Sequence, residues 1–273
     1  MTTLTAPSAA RSTFEPSTRY RRTFGRALHS EWIKLSTVRS TWWSIGIVAV
    51  LTIGIALLVA TASDMPGFEP IQAVVSPFQF TMLLAGILGA IAVTGEYSSG
   101  MIRSTLGANP MRGSVLAAKA IVVAVFMFIS SLLIFLVAAL AVTPIFAGRD
   151  ISFGWDVPAD STLPILAASI SMAVFSLIGV AFGFLIRSGA GAIAATVGLL
   201  FVLPIVATLF TGVGEGWEWI ADVSARLPMT AAQSAILPQS DWGLSVFDSY
   251  VTLAAWAAAG MLASWAALRT RDA

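Results

Sequence analysis

The side chains able to do chemistry are few, and most of them lie outside the apolar stretches of the chain. The sequence has no Cys and a single His, His29, which excludes a cysteine nucleophile, a thiolate metal site and a metal site with several His ligands. It contains neither a HExxH pair nor a GxSxG elbow with a membrane His, and no GxxxxGK[ST] phosphate loop. The sequence therefore predicts neither covalent chemistry nor a bound cofactor in this chain.

The densest group of candidate residues lies in one segment between two apolar stretches. It contains Glu96, Gly100, Met101, Ile102, Arg103, Leu106, Pro110 and Arg112. A short exposed helix with two arginines and a few apolar contact residues can dock a partner and transmit its movement into the helices on either side. A plainer interpretation is a basic cytoplasmic loop in which the glutamate caps a helix.

The elements that must position this segment are transmembrane helices. Hydrophobic residues make up 57% of the sequence and charged residues only 11%, against roughly a quarter charged in soluble domains. A span needs about 20 apolar residues. Six stretches qualify, and they predict an all-α membrane protein with spans at about 42–62, 74–95, 120–146, 163–186, 190–211 and 249–268. Arg187 separates the fourth and fifth stretches, which predicts a tight turn at Arg187-Ser188-Gly189.

The distribution of basic residues predicts the orientation. With the N-terminus inside, thirteen of the fifteen Lys and Arg residues fall on the cytoplasmic side, and only Arg149 and Arg226 fall outside. Six spans return the C-terminus to the same side, so both termini are predicted to be cytoplasmic. No span carries an ionisable residue in its central turns, which argues against an ion-coupled carrier.

The N-terminal region precedes the first span. Residues 1–23 are predicted to form a disordered basic tail, and residues 24–273 a single transmembrane domain whose first apolar run is retained rather than cleaved. An apolar stripe opposite Arg26, Ser30 and Lys34 predicts an amphipathic helix on the inner membrane surface, formed by Phe24, Leu28, Trp32 and Leu35. A solvated basic leader is the alternative.

Two pairs of small residues mark places where helices can approach closely. They are Gly179-xxx-Gly183 in the fourth stretch and Ala254-xxx-Ala258 in the sixth. Such pairs serve either internal packing or a contact between subunits, and internal packing is the commoner use.

The segment after the second span resembles the corresponding loop of the type-2 ABC exporter permeases. In that family a Glu ends the second span, a Gly-Thr-x-Arg step, a Leu, a Pro and an Arg follow, and a Lys opens the third span. The matching residues are Glu96, Gly100, Arg103, Leu106, Pro110, Arg112 and Lys119, whereas Met101 stands where Thr is usual. The leader from Ser30 to Trp43 looks like the entry helix of actinobacterial members, and Leu227 to Ala232 is similar to their last outer loop.

This resemblance implies a fold and a set of partners. Permeases of the family have six spans, and the loop after the second span forms a cytoplasmic coupling helix that docks in a groove of a separate ABC ATPase. Two ATPase copies bind the ATP and Mg, and two permease subunits, identical or related, enclose the substrate path in the bacterial plasma membrane. On this interpretation residues 24–273 form a single permease domain.

The expected function is therefore that of a permease subunit of an ATP-driven exporter. Because the spans have no buried charge to recognise an ion, a hydrophobic or amphipathic cargo is favoured, as in multidrug or lipid efflux. Two alternatives remain open: an ATP-independent carrier, and a non-transporting scaffold or immunity protein that sequesters a toxic amphiphile. Nothing in the composition suggests a nucleic-acid partner.

Overall fold

The structure is a computed structural model that describes residues 23–63, 67–108, 111–210, 218–238 and 243–270. Residues 1–22 of the predicted tail, Pro110 and the end of the fifth predicted span at residue 211 lie outside this part of the chain. The helices are, in order, α1 (Phe24–Thr37), α2 (Arg39–Ala62), α3 (Pro70–Val75), α4 (Phe78–Ser98), α5 (Met101–Ala108), α6 (Arg112–Ala147), α7 (Thr162–Ile186), α8 (Gly189–Val197), α9 (Leu203–Phe210), α10 (Glu218–Ala225), α11 (Pro228–Ile236) and α12 (Val246–Thr270). A 3₁₀ turn at Pro158–Asp160 precedes α7, and a π-helical turn at Gly198–Val202 joins α8 to α9.

Six helical segments are long and apolar enough to cross a membrane, and the described residues include no strand. They are Arg39–Ala62, Pro70–Ser98, Arg112–Ala147, Thr162–Ile186, Gly189–Phe210 and Val246–Thr270. The predicted all-α fold with six spans is therefore confirmed. The fourth and fifth segments are separated at Arg187, which adopts a left-handed conformation with φ of 61° and ends α7.

The centre of the bundle is built on backbone contact between α4 and α7. A methyl group on Gly179 would lie 1.9 Å from the carbonyl oxygen of Gly86, and one on Gly89 would lie 2.0 Å from that of Ser176. Side chains are excluded at such distances, so glycine is required on both helices. The Gly179-xxx-Gly183 pair thus serves packing within the chain.

One end of the bundle gathers arginines from distant parts of the sequence. The Arg112 guanidinium at the start of α6 donates a hydrogen bond to the carbonyl of Leu268 near the end of α12. Arg187 lies over the ring of Tyr97, 5.4 Å from its centroid, and so links the ends of α7 and α4. We call this the basic end of the bundle.

At 36 residues, α6 is about 54 Å long, so it exceeds the roughly 30 Å of hydrocarbon in a bilayer.

Arg149 closes the opposite end of the bundle. Its guanidinium donates hydrogen bonds to the carbonyls of Ala60 at 3.0 Å, Thr61 at 3.0 Å and Ser63 at 2.8 Å, at the end of α2. These carbonyls lack partners within the helix, and the helix dipole favours a cation beside them.

Replacing Arg149 should therefore weaken the anchoring of α2. We expect Arg149→Ala to lower stability by about 1–3 kcal/mol, because three carbonyls lose a charged donor. Thermal unfolding of the purified protein, followed by tryptophan fluorescence, measures this. Arg226→Ala is the control, since the Arg226 side chain is largely exposed and should contribute little. Equal unfolding temperatures for the two variants would contradict the capping role.

Candidate functional site

An elbow between α1 and α2 brings the N-terminal helix against the bundle. Val38 is extended, with φ of −80° and ψ of 115°, so the two helices change direction at this residue. The rings of Trp32 and Trp42 both meet Phe126 of α6 edge-on, with centroids 6.1 and 6.0 Å away. The Trp42 indole also donates a hydrogen bond of 2.8 Å to the carbonyl of Ser36. The elbow is thus held against α6 by aromatic packing.

Four charged residues meet where α1, α4 and α6 converge. We call Glu31, Lys34, Glu96 and Lys119 the charged cluster. The Lys119 ammonium lies 2.5 Å from Glu31 Oε2 and 2.7 Å from Glu96 Oε1. The Lys34 ammonium lies 2.7 Å from Glu31 Oε1 and 2.9 Å from the same Glu96 oxygen.

The charged cluster is buried and electrically balanced. Glu96 and Lys119 lie in the second and third spans, so the prediction that the spans have no buried charge is wrong at this end of the bundle. Lys119, Glu96 and Glu31 are only 3%, 4% and 6% exposed, and Lys34 is 23% exposed. An isolated charge at such burial costs several kcal/mol, which pairing offsets. The chain contains only two lysines, and both neutralise a glutamate here.

Lys34 shows how pairing competes with burial. Burial disfavours its charged form, but hydrogen bonds to Glu31 and Glu96 outweigh that effect and raise the pKa of Lys34 above its ordinary value of 10.5. Lys34 is therefore protonated at physiological pH. Its contribution to stability is complete below the unfolded-state pKa of 10.5 and is lost as the pH rises through the higher folded-state pKa.

The loop helix α5 is joined to α4 at its start and is tied to the charged cluster near its middle. Gly100 joins α4 to α5 with φ of 72°, in the left-handed region that glycine adopts freely. Thr105 in α5 accepts a hydrogen bond of 3.3 Å from the Lys34 ammonium. A displacement of α5 would therefore pull on α1 directly, and on α4 and α6 through the shared glutamate.

The predicted site residues of the loop separate onto two faces. Met101 and Arg103 are exposed, whereas Ile102 is 2% exposed and Leu106 packs against the core. The sequence predicts Ile102 and Leu106 as contacts for a partner, but both face the chain itself, because they are the apolar side of an amphipathic helix. Arg112 at the start of α6 is half-buried rather than free to meet a partner.

The four residues of the predicted apolar stripe of α1 likewise differ in their burial. Phe24 and Trp32 are exposed, whereas Leu28 and Leu35 are half-buried. The sequence places Lys34 on a polar face turned away from the membrane. The structure instead turns Lys34 inward, where it pairs with Glu31 of the same helix and with Glu96 of α4, whereas Arg26 and Ser30 of that face are exposed. That α1 lies on a membrane surface stays a prediction.

A comparison with known protein families shows which family this chain belongs to. The family model described as "ABC-2 family transporter protein" matches residues 27–213, which include α5 and the whole charged cluster. The chain belongs to the ABC-2 transporter family. It is therefore the permease subunit of an ABC transporter and a multi-pass membrane protein. No curated protein sequence matches this ABC-2 permease.

Family membership confirms the resemblance that the loop motif carries, but part of the permease's site was not predicted. The sequence places Glu31 and Lys34 only in the N-terminal leader and its amphipathic helix, and Lys119 only at the start of the third span. A usable signal existed in the sequence. The sequence has only two lysines, one in the entry helix before the first span and one near the start of the third span. A lysine at such a place in a membrane protein needs an anionic partner, and few glutamates lie close to the ends of these segments.

Proposed function

We propose that this ABC-2 permease couples ATP hydrolysis by a separate ATPase to the export of a hydrophobic or amphipathic cargo. The observation that carries the proposal is the connection of α5, through Thr105 and Lys34, to the charged cluster that joins α1, α4 and α6. An exposed short helix linked in this way can pass a movement to several helices at once. It also has an outward face, with Met101 and Arg103, on which a partner can dock.

The proposed mechanism needs no chemistry in this chain. The ATPase binds the ATP and Mg, docks on the outward face of α5 and moves when ATP is bound and hydrolysed. The buried face of α5, with Ile102 and Leu106, transmits the displacement into the core. The cluster keeps α1, α4 and α6 together, so the bundle tilts as a unit between inward-open and outward-open states.

The assembly and its setting follow from the same proposal. Two ATPase copies act on a pair of permease subunits, either two copies of this chain or this chain and a relative. The basic end of the bundle faces the cytoplasm of a bacterial cell, with both termini on that side, as the excess of Lys and Arg favours. Ala254 and Ala258 are exposed on α12 and offer a small-residue surface for the second subunit.

Affinity purification of the tagged chain from its native cell in mild detergent tests the proposal. We expect a soluble chain with a GxxxxGK[ST] loop to co-purify in stoichiometric amounts, and Arg103→Glu to reduce its recovery at least tenfold. Arg226→Glu is the matched control, because that exposed arginine lies at the opposite end of the bundle.

Either of two results would contradict the proposal. Equal ATPase recovery with Arg103→Glu and with the control would show that α5 is not the docking site. Absence of any ATPase from a folded, monodisperse preparation would favour the carrier or the scaffold.

A further inference from the structure

A cavity of about 360 Å³ opens beside the charged cluster, between α1, α2, α4 and α6. This volume lies within the range of small-molecule sites in proteins. Its inner wall is apolar and includes Leu88, Val123, Phe126 and Met127. The cavity belongs to one chain, so it does not depend on how two subunits pair.

The mouth of the cavity faces the surroundings of the bundle through exposed apolar residues. Val38 at the elbow and Ile91 of α4 both line the cavity and are exposed. In a membrane-spanning bundle, exposed apolar side chains beside a span meet lipid. An acyl chain can therefore enter the cavity from the side without crossing a polar barrier.

At the polar end of the cavity, one carboxylate oxygen of Glu96 accepts no hydrogen bond from the described residues. Glu96 is 4% exposed and lines the cavity, and both lysines of the charged cluster bind its Oε1 atom. Within the described part of the chain, its Oε2 atom is buried and has no hydrogen-bond partner. A buried acceptor left unpaired costs about 1–3 kcal/mol, so a donor from the cavity would bind favourably once a small shift of the Glu96 side chain exposes Oε2 to it.

The charge balance of the cluster decides what kind of donor fits. Two glutamates already face two lysines, and both ammonium groups lie within 3 Å of Glu96 Oε1. An additional cation at Oε2 would be repelled by these ammonium groups, and an anion would be repelled by the carboxylate itself. A neutral hydroxyl donates one hydrogen bond without disturbing the balance.

From these observations we propose that the cavity binds one neutral, hydroxyl-bearing lipid from the adjacent leaflet, such as a monoacylglycerol. Its hydroxyl donates to Glu96 Oε2, and its chain lies along the apolar wall and leaves through the mouth beside Ile91. Such a lipid lies against the cluster that joins α1, α4 and α6. The inference does not rest on the proposed function, because binding is measured on the permease alone.

A photoreactive monoacylglycerol tests the proposal. The purified permease is placed in phosphatidylcholine nanodiscs, which contain no other hydroxyl-bearing lipid, and is labelled with 1-monooleoylglycerol that carries a diazirine in the chain. We expect labelled peptides from α1, α4 or α6 at the cavity. Excess unlabelled monooleoylglycerol should reduce this labelling at least fivefold, whereas methyl oleate, which has the same chain and no donor, should not.

Two variants sharpen the test. Ser44 of α2 lines the cavity and lies outside the charged cluster, so Ser44→Phe should fill the space and reduce labelling at least fivefold. Thr61→Phe is the matched control, because Thr61 is exposed near the other end of the same helix and should label like the unmodified permease. If Ser44→Phe does not fold, the competition in the unmodified permease decides alone.

Three results would overturn the proposal. Equal competition by methyl oleate would show that the chain alone binds, and stronger competition by oleylamine would show that the site prefers a cation. Labelling that is scattered over the exposed surfaces of all six spans would show ordinary lipid contact and a cavity that holds only water.

Discussion

Lys119→Met should be among the most destabilising single changes in this permease. It leaves Glu31 and Glu96, which are 6% and 4% exposed, with only Lys34 between them. Removing one partner of a buried ion pair typically costs about 3–5 kcal/mol, because the remaining charge is uncompensated. We expect a large fall in the unfolding temperature of the purified protein, measured by tryptophan fluorescence, and reduced yield from the membrane.

A second substitution should reverse much of that loss. In Glu96→Gln combined with Lys119→Met, the remaining pair is Glu31 and Lys34, 2.7 Å apart, so the cluster is neutral again. We expect the double variant to be at least about 2 kcal/mol more stable than Lys119→Met, a coupling that independent sites would not show. Additive effects of the two substitutions would contradict the charged cluster.

Gly179→Ala should separate α4 from α7 and disrupt the centre of the bundle. The added methyl group would lie 1.9 Å from the carbonyl oxygen of Gly86 and 2.9 Å from the amide nitrogen of Ala90. Because these are backbone atoms, no side-chain rotation relieves the clash. We expect a loss of at least about 3 kcal/mol, the upper part of the range for overpacked cores. Gel filtration of the detergent-solubilised protein and its unfolding temperature measure it.

The matched control is Gly54→Ala on α2. A methyl group at Gly54 would meet nothing within 4 Å, so the change removes only a residue that helices disfavour. We expect no loss, and a gain of up to about 1 kcal/mol. If Gly179→Ala behaved like Gly54→Ala, the close contact of α4 with α7 would be wrong.

The six spans could be predicted from the sequence because charge-free length alone decides membrane crossing. The turn at Arg187 followed for a related reason, since no bilayer accommodates a helix of the combined length. The loop residues Glu96 to Arg112 were identifiable by their order. In each case the information lies within a short stretch of sequence.

The charged cluster could not be predicted in the same way. Its four members are separated by up to 88 residues, and which faces of α1, α4 and α6 meet depends on packing rather than on local pattern. The same limit applies to Ile102, whose apolar character fits either a partner or the chain's own core. Only the placement of α5 against the bundle decides between these two surfaces.

Site-specific photocrosslinking in the native cell tests the coupling role of α5 most directly. Benzoylphenylalanine replaces Arg103 on the exposed face of α5 or, as a control, Asp156 in the exposed turn at the opposite end of the bundle. The proposed function predicts a crosslink from position 103 to a soluble chain with a GxxxxGK[ST] loop, and none from position 156. A crosslink to such a chain from position 156 alone, or to no ATPase from either position in a folded protein, would contradict it.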